Sequence, residues 1–271
     1  MQIFLSLKEY LYNNNKIQLL IFCLQWQTNE KSLAYLIYRW IWALFFTGVF
    51  IACLALQFSD GKLFIFLTNW GIILCLLTNL IAAYIVTRWH FNWYRNRITT
   101  LESGEEQKQQ LPSIIKLYWF LHGITLMLAL VITTIYWVFL HGKMNKPMRY
   151  PVMSFVTHCM NSILMLVDFI VIAFPVRILH AVYSMMLPII YCLFTVIYFF
   201  CGGVDEYGNH HVYPILDWTK PVRGIITFAG TFGLYLIFCS LLFMLYKIKL
   251  FLRRLMDSLS FHNNNCHLTY L

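Results

Sequence analysis

The chain has 271 residues, of which 60% are apolar and 11% are charged, and its formal net charge is +9. Soluble domains average about 45–50% apolar and about 25% charged residues. This composition therefore excludes a soluble enzyme, a disordered chain and a small secreted domain, and only the bilayer accommodates so much apolar surface. The positive charge is typical of membrane-protein loops beside anionic lipid, and it does not require nucleic acid as a partner.

Six apolar runs follow one another along the chain, each with the roughly 20 residues that a helix needs to cross the hydrocarbon. They lie at about 34–57, 63–87, 117–140, 153–174, 178–200 and 224–246. We therefore predict an all-α polytopic membrane bundle with six transmembrane helices. A shorter apolar run, Ile17–Leu24, cannot cross the bilayer and is interpreted as an interfacial stretch.

The distribution of basic residues predicts the orientation. The flanks and loops on one side carry 12 Lys and Arg residues, and those on the other side carry six. The first set is Lys8, Lys16, Lys31, Arg88, Arg95, Arg97, Lys108, Arg177, Lys247, Lys249, Arg253 and Arg254. Because basic loops stay in the cytosol, both termini are predicted to be cytosolic. The predicted divisions are a cytosolic N-terminal segment over 1–33, the six-helix domain over 34–249 and a cytosolic tail over 250–271.

Membrane lipids are the partners that this pattern predicts most directly. Basic residues at the predicted cytosolic ends of the spans suit anionic lipid of the inner leaflet. They are Arg88, Arg95, Arg97, Arg253 and Arg254. No cofactor or metal ion is expected, because the eight cysteines include no CxxC pair and the His210-His211 pair has too loose a spacing around other ligands.

Polar residues inside the predicted spans need a partner or a function, because they are costly in hydrocarbon. The fourth span carries His158, Asn161 and Asp168 at steps of three and seven, which put them on one helical face. In the second span, Thr68 and Asn79 likewise share a face.

Depths estimated from the helical rise divide these residues into two layers. Thr68 and His158 fall at one level near the predicted external face. Arg39, His122 and Asp168 fall near the cytosolic face. For the cytosolic layer the structural interpretation is an Arg39–Asp168 ion pair, which would neutralise two charges that each cost about 2.5–3.5 kcal/mol on insertion scales. Asn79 and His122 are interpreted as structural polar residues.

The external layer has a structural and a functional interpretation. Interhelical hydrogen bonding explains His158 and Asn161, and a bond to its own helix explains Thr68. Alternatively, a hydroxyl becomes a nucleophile when an imidazole within reach removes its proton, which makes Thr68 and His158 a candidate catalytic pair.

Several stretches of the sequence resemble the rolling stone family of insect multipass membrane proteins. They are Tyr38-Arg39-Trp40, Phe66 to Trp70, Thr157 to Asn161, Leu166 to Asp168, and the most distinctive one, Gly208 to Trp218. The resemblance implies a role in the fusion of myoblasts at the plasma membrane, and hence in muscle development. It also implies an unidentified protein partner and a plasma-membrane location.

The layout is more distantly similar to the androgen-induced-gene family of membrane hydrolases, which cleave fatty-acid esters with a threonine and a histidine. Their nucleophile motif matches Phe66-Leu67-Thr68, and the first of their two histidines matches His158. Their catalytic histidine falls on Asn161. Because a neutral amide cannot act as a general base, we expect no hydrolysis, and an intramembrane threonine hydrolase is kept as the alternative. Transport is a third hypothesis for the function, and only the two polar layers support it.

Overall fold

The computed structural model describes residues 32–58, 61–103, 113–141, 151–172 and 179–268. The predicted interfacial stretch Ile17–Leu24 lies outside these residues. Within them the chain is mostly helical and no β-strand occurs. Six helices are long and apolar enough to cross a membrane. The predicted all-α six-helix membrane bundle is thereby confirmed.

The six helices follow the predicted apolar runs in chain order. They are α1 (Leu33–Gln57), α2 (Leu67–Ser103), α3 (Ser113–Ile135), α4 (Pro151–Val171), α5 (Leu179–Phe200) and α6 (Pro221–Leu268). Two of them contain a wider π-helical turn. One extends α3 over Tyr136–Leu140, and the other interrupts α4 over Val156–Met160.

Local sequence explains where the first two helices begin. Ser32 caps α1, because its Oγ accepts a hydrogen bond from the Tyr35 amide at 3.2 Å. The second predicted span starts four residues early. Lys62–Ile65 forms a short 3₁₀ helix after Gly61, whose positive φ of 77° suits glycine, and α2 begins only at Leu67.

Helix α3 lies at the centre of the bundle, and α6 lies at its edge. Among the 18 most apolar consecutive residues of each helix, the buried share is 56% in α3 and 11% in α6. The main core joins residues from α1, α2, α3, α4 and α6, among them Phe46, Cys75, Leu130, Met165, Phe169 and Tyr235. Long apolar side chains elsewhere on the helices face outward, as a membrane span requires.

The predicted tail boundary at 250 is not marked by any break in the helix. Helix α6 continues without interruption from the membrane-compatible part, Pro221–Met256, to Leu268. The divisions at 33, 249 and 250 stay predictions.

Candidate functional site

One group of polar side chains forms a closed cluster around Asp168, which we call the Asp168 cluster. Arg39 Nη1 of α1 donates to Asp168 Oδ1 at 2.8 Å, and His122 Nε2 of α3 lies 3.0 Å from Asp168 Oδ2. The exposed fraction is 1% for Arg39, 1% for His122 and 2% for Asp168. The structure thus brings together the three residues that the sequence assigned to one layer, including the expected ion pair.

Tyrosines that the sequence analysis did not single out complete this cluster. The Tyr38 hydroxyl donates to Asp168 Oδ1 at 3.0 Å. Arg39 Nε and Nη2 donate to the Tyr35 hydroxyl at 3.0 and 2.7 Å, and Nη2 also reaches the Tyr118 hydroxyl at 3.2 Å. Since these bonds join α1, α3 and α4, the Asp168 cluster fixes three helices to one another.

Lys249 of α6 is a further buried cation near the same end of the bundle. Its exposed fraction is 4%, and its Nζ donates to the carbonyl oxygens of Phe169 and Ile172 at 2.9 and 2.8 Å. These carbonyls end α4, and the last carbonyls of a helix have no partner within it. Its place after the sixth apolar run predicted a cytosolic basic residue, whereas the structure buries Lys249 as a cap on α4.

The middle of the bundle holds smaller interhelical bonds. Cys75 Sγ of α2 donates to Asn161 Oδ1 at 2.9 Å, and Asn79 Nδ2 donates to the Cys75 carbonyl at 2.8 Å. Both asparagines are buried. A methyl group on Gly71 would lie 3.9 Å from Asn161 Nδ2, so position 161 packs against α2. Asn79 therefore bonds within its own helix, and Asn161 bonds between helices.

A cavity opens at the other end of the bundle, which we call the Thr68 pocket. It has an empty volume of about 670 Å³ and is bounded by α2, α3, α4, α5, α6 and the segment between α5 and α6. Thr68, His158 and Tyr213 are among its lining residues, and Asn161 is not. The structure therefore brings Thr68 and His158 to one cavity. Asn161, where the resemblance to the membrane hydrolases puts the base, does not line it.

The start of α2 positions Thr68 as the second residue of the helix. Asn69 Nδ2 donates to the Leu63 carbonyl at 2.8 Å, and Trp70 Nε1 donates to the Phe64 carbonyl at 2.7 Å. Tyr191 of α5 donates to the Ile65 carbonyl at 2.8 Å. These bonds tie the 3₁₀ helix to α2 and α5. The Tyr213 hydroxyl interacts with the Thr68 side chain across the pocket.

His158 owes its position to the π-helical turns. The extra residue in a π-turn shifts the register of a helix, and such turns occur often at functional sites. His158 lies in the turn Val156–Met160 and stacks on Tyr136, which begins the other π-turn, with ring centroids 3.6 Å apart and planes 3° apart. Its Nδ1 is buried and has no hydrogen-bond partner among the described residues. Residue spacing in a regular helix does not predict this arrangement.

The segment between α5 and α6 covers the pocket as a set of tight turns. Asp205 accepts hydrogen bonds from the amides of Tyr207 and Asn209, both at 2.8 Å, and its own carbonyl accepts from Lys62 Nζ at 2.9 Å. Further along, a hydrogen bond from Thr219 lowers the pKa of Asp217. This segment holds Tyr213 in place over Thr68.

The two polar regions differ in the chemistry that they permit. In the Asp168 cluster the charged and polar side chains bond to one another, so the region is suited to a structural role. In the Thr68 pocket a hydroxyl, a phenol and an imidazole face an apolar cavity. Among the described residues no group of three or more His, Cys, Asp and Glu side chains is placed to hold a metal ion.

The basic residues expected at the membrane surface are described only in part. Arg88 is exposed, and its Nη1 lies 3.4 Å from the Tyr84 hydroxyl. Arg254 is exposed and Arg253 is partly exposed on α6. The backbone of Arg95 and Arg97 lies in α2, and their side chains are outside the described set.

Comparison with known proteins identifies the family. A sequence model of the family described as "Protein rolling stone" matches residues 4–265. "Protein rolling stone" of Drosophila melanogaster is 58% identical over 225 residues, which are 83% of this chain and 81% of that protein. No solved structure matches the chain. Both matches span most of the six helices described above, and the chain therefore belongs to the rolling stone family.

Proposed function

We propose that this multipass membrane protein acts at the plasma membrane in the fusion or adhesion of cells, specifically of myoblasts. The observation that carries the proposal is the 58% identity to a rolling stone protein over most of both chains. The segments that join the described helices are short, so they offer a partner no large external domain. Any partner would therefore contact the 201–220 segment, the sides of the helices or the cytosolic ends.

The proposal is tested by loss and rescue. Myoblasts that lack the endogenous rolling stone protein are expected to form fewer multinucleate cells, and re-expression of this chain is expected to restore fusion. An empty vector and an unrelated six-span membrane protein, expressed at the same surface level, serve as controls. Normal fusion in the absence of the protein would contradict the proposed role.

The proposed orientation places both termini and the Asp168 cluster on the cytosolic side, and the Thr68 pocket on the external side. A tag inserted at Gly208, an open position with a φ of 81°, is then accessible in intact cells. Tags at the two termini are expected to become accessible only after permeabilisation. External access to either terminus would overturn this orientation.

In this orientation, basic side chains at the cytosolic ends of α2 and α6 contact anionic lipid. Arg88, Arg253 and Arg254 are the described candidates, and each basic residue near such a surface contributes about 1 kcal/mol. Neutralising Arg253 and Arg254 together is expected to weaken the protein's enrichment of anionic lipid in nanodiscs. Equal enrichment in the wild type and the double variant would contradict this contact.

Hydrolysis of a lipid ester is a second candidate function, favoured by one specific observation. Thr68 and His158 line the same cavity, which makes His158 a candidate for the base that Asn161 cannot provide. In such a reaction His158 would take the Thr68 proton, Thr68 Oγ1 would attack the ester carbonyl and the alcohol would leave with that proton. Water would then release the acid from Thr68.

Covalent labelling separates this candidate from a non-enzymatic role. A fluorophosphonate probe is expected to label Thr68 in the wild type if the residue is nucleophilic, and labelling should vanish in Thr68→Ala and fall sharply in His158→Phe. Thr47→Ala is a matched control, because Thr47 only bonds the Ala43 carbonyl of its own helix. Absence of labelling and of ester turnover in the wild type would remove the enzymatic candidate.

A further inference from the structure

We propose that the Thr68 pocket binds a single-chain lipid with an uncharged polar end, taken from the surrounding bilayer. The inference concerns binding, and it does not require Thr68 to react. If Thr68 does react, the inference rests on the second candidate function and names its substrate class.

The walls of the pocket suit a hydrocarbon chain. Most of its lining residues are apolar, as is usual for small-molecule sites. Ile132, Ile135 and Leu140 line it from α3, and Phe228 lines it from α6. An acyl chain in the pocket would keep water away from these apolar walls, which is favourable.

The polar end suits an uncharged head group. Thr68, His158 and Tyr213 offer hydrogen bonds, whereas none of the lining residues is Lys, Arg, Asp or Glu. A phosphate or carboxylate would therefore enter the pocket without a counter-charge, and burying an unpaired charge is strongly unfavourable. A hydroxyl, an ester or an ether meets no such penalty.

The hydroxyls around the cavity are mostly engaged already, and those of Thr68 and Tyr213 interact with each other. Tyr191 donates to the Ile65 carbonyl, Thr227 to the Ile215 carbonyl and Thr231 to the Thr227 carbonyl. His158 Nδ1, by contrast, is buried with no partner among the described residues. Because buried polar atoms are nearly always hydrogen-bonded, the ligand's polar end belongs beside Thr68 and His158.

Helix α6 places the pocket next to its lipid reservoir. Thr227, Phe228 and Thr231 form one wall of the cavity. Only 11% of the most apolar window of α6 is buried, the lowest fraction among the six spans. A lipid in the bilayer is thus separated from the pocket by the width of one helix, most of whose surface is exposed.

Photolabelling of the full-length protein in nanodiscs tests the proposal. The probe is an alkylglycerol with a diazirine on its chain, and its ether bond prevents cleavage by a hydrolase. We expect it to label pocket residues of α3 and α6, and an excess of unmodified alkylglycerol should compete for this labelling. A probe with the same chain and a phosphocholine head is expected to label the pocket at least about tenfold less, a difference of about 1.4 kcal/mol.

Two matched variants locate the site. Thr231 and Ser240 each bond a carbonyl four residues earlier on α6, but Thr231 lines the pocket and Ser240 is exposed on the outer face. Thr231→Trp fills the cavity and should reduce labelling about tenfold, whereas Ser240→Trp should stay within about twofold of the wild type. Thr68→Val should weaken competition by about threefold to tenfold, through loss of one hydrogen bond.

Three outcomes would overturn the proposal. In the wild type, labelling confined to bilayer-facing residues such as Ile237 and Leu241 means that the pocket is not occupied. Undiminished labelling in a folded Thr231→Trp variant means that the site lies elsewhere. Equal labelling by the phosphocholine probe excludes the uncharged class. Since the probe cannot be hydrolysed, none of these results depends on whether Thr68 is catalytic.

Discussion

The Asp168 cluster and the Thr68 pocket are two polar regions at opposite ends of one helix bundle. They differ in whether their polar side chains bond to one another or line a cavity. In the cluster, Arg39, His122 and Asp168 are almost completely buried and bonded to one another. In the pocket, Thr68, His158 and Tyr213 border an empty volume of about 670 Å³. The comparison indicates that a closed polar group in a membrane holds helices together, and an open one is available to a ligand.

The largest effect is expected from removing the carboxylate of the Asp168 cluster. Asp168→Ala leaves Arg39 buried without its counter-charge, and breaking such a pair costs about 3–5 kcal/mol. We expect a severe loss of folded protein, measured by size exclusion and thermal unfolding in detergent. Adding Arg39→Leu should recover part of the loss, because both charges are then gone. A double variant at least as unstable as the sum of the single variants would contradict the pairing.

A smaller effect is expected from the cap that α6 places on α4. Lys249→Met removes two hydrogen bonds to the Phe169 and Ile172 carbonyls and should lower the free energy of unfolding by about 1–3 kcal/mol. Lys247→Met is the matched control, since Lys247 is exposed two residues earlier and lies over the Phe243 ring. Equal stability of the two variants would show that the cap contributes nothing.

The smallest effect on stability is expected in the pocket. Thr68→Ala removes one side chain at the edge of a cavity, so the free energy of unfolding should change by about 1 kcal/mol or less. The non-enzymatic proposal further predicts that this variant restores myoblast fusion nearly as well as the wild type. Loss of fusion by Thr68→Ala, at normal surface expression, would contradict this prediction.

Sequence reasoning predicted the parts of the molecule that depend on length and depth alone. Six apolar runs of sufficient length gave the six spans, and helical rise put Arg39, His122 and Asp168 at one level. It did not identify Tyr38 or Tyr118 in the cluster, because tyrosines near the ends of spans are usually interfacial. Neither did it find Lys249, because a lysine beyond an apolar run normally reaches water.

The pocket was predicted only in part, for a geometric reason. Thr68 and His158 were placed at one depth, but the spacing argument assumed regular helices of 3.6 residues per turn. The π-turns at Tyr136–Leu140 and Val156–Met160 change the register locally. As a result, His158 stacks on Tyr136 at the cavity, and Asn161 bonds Cys75 away from it. Hydrophobic spacing in a sequence does not reveal a single-turn π-bulge.

The most direct test of the contrast between the two regions is a rescue measurement with the α6 pair. In myoblasts lacking the endogenous protein, Thr231→Trp and Ser240→Trp are compared at equal surface amounts and equal thermal stability. If function depends on the open pocket, Thr231→Trp restores little fusion and Ser240→Trp restores it fully. Equal rescue by the two variants would contradict a need for the open Thr68 pocket in fusion.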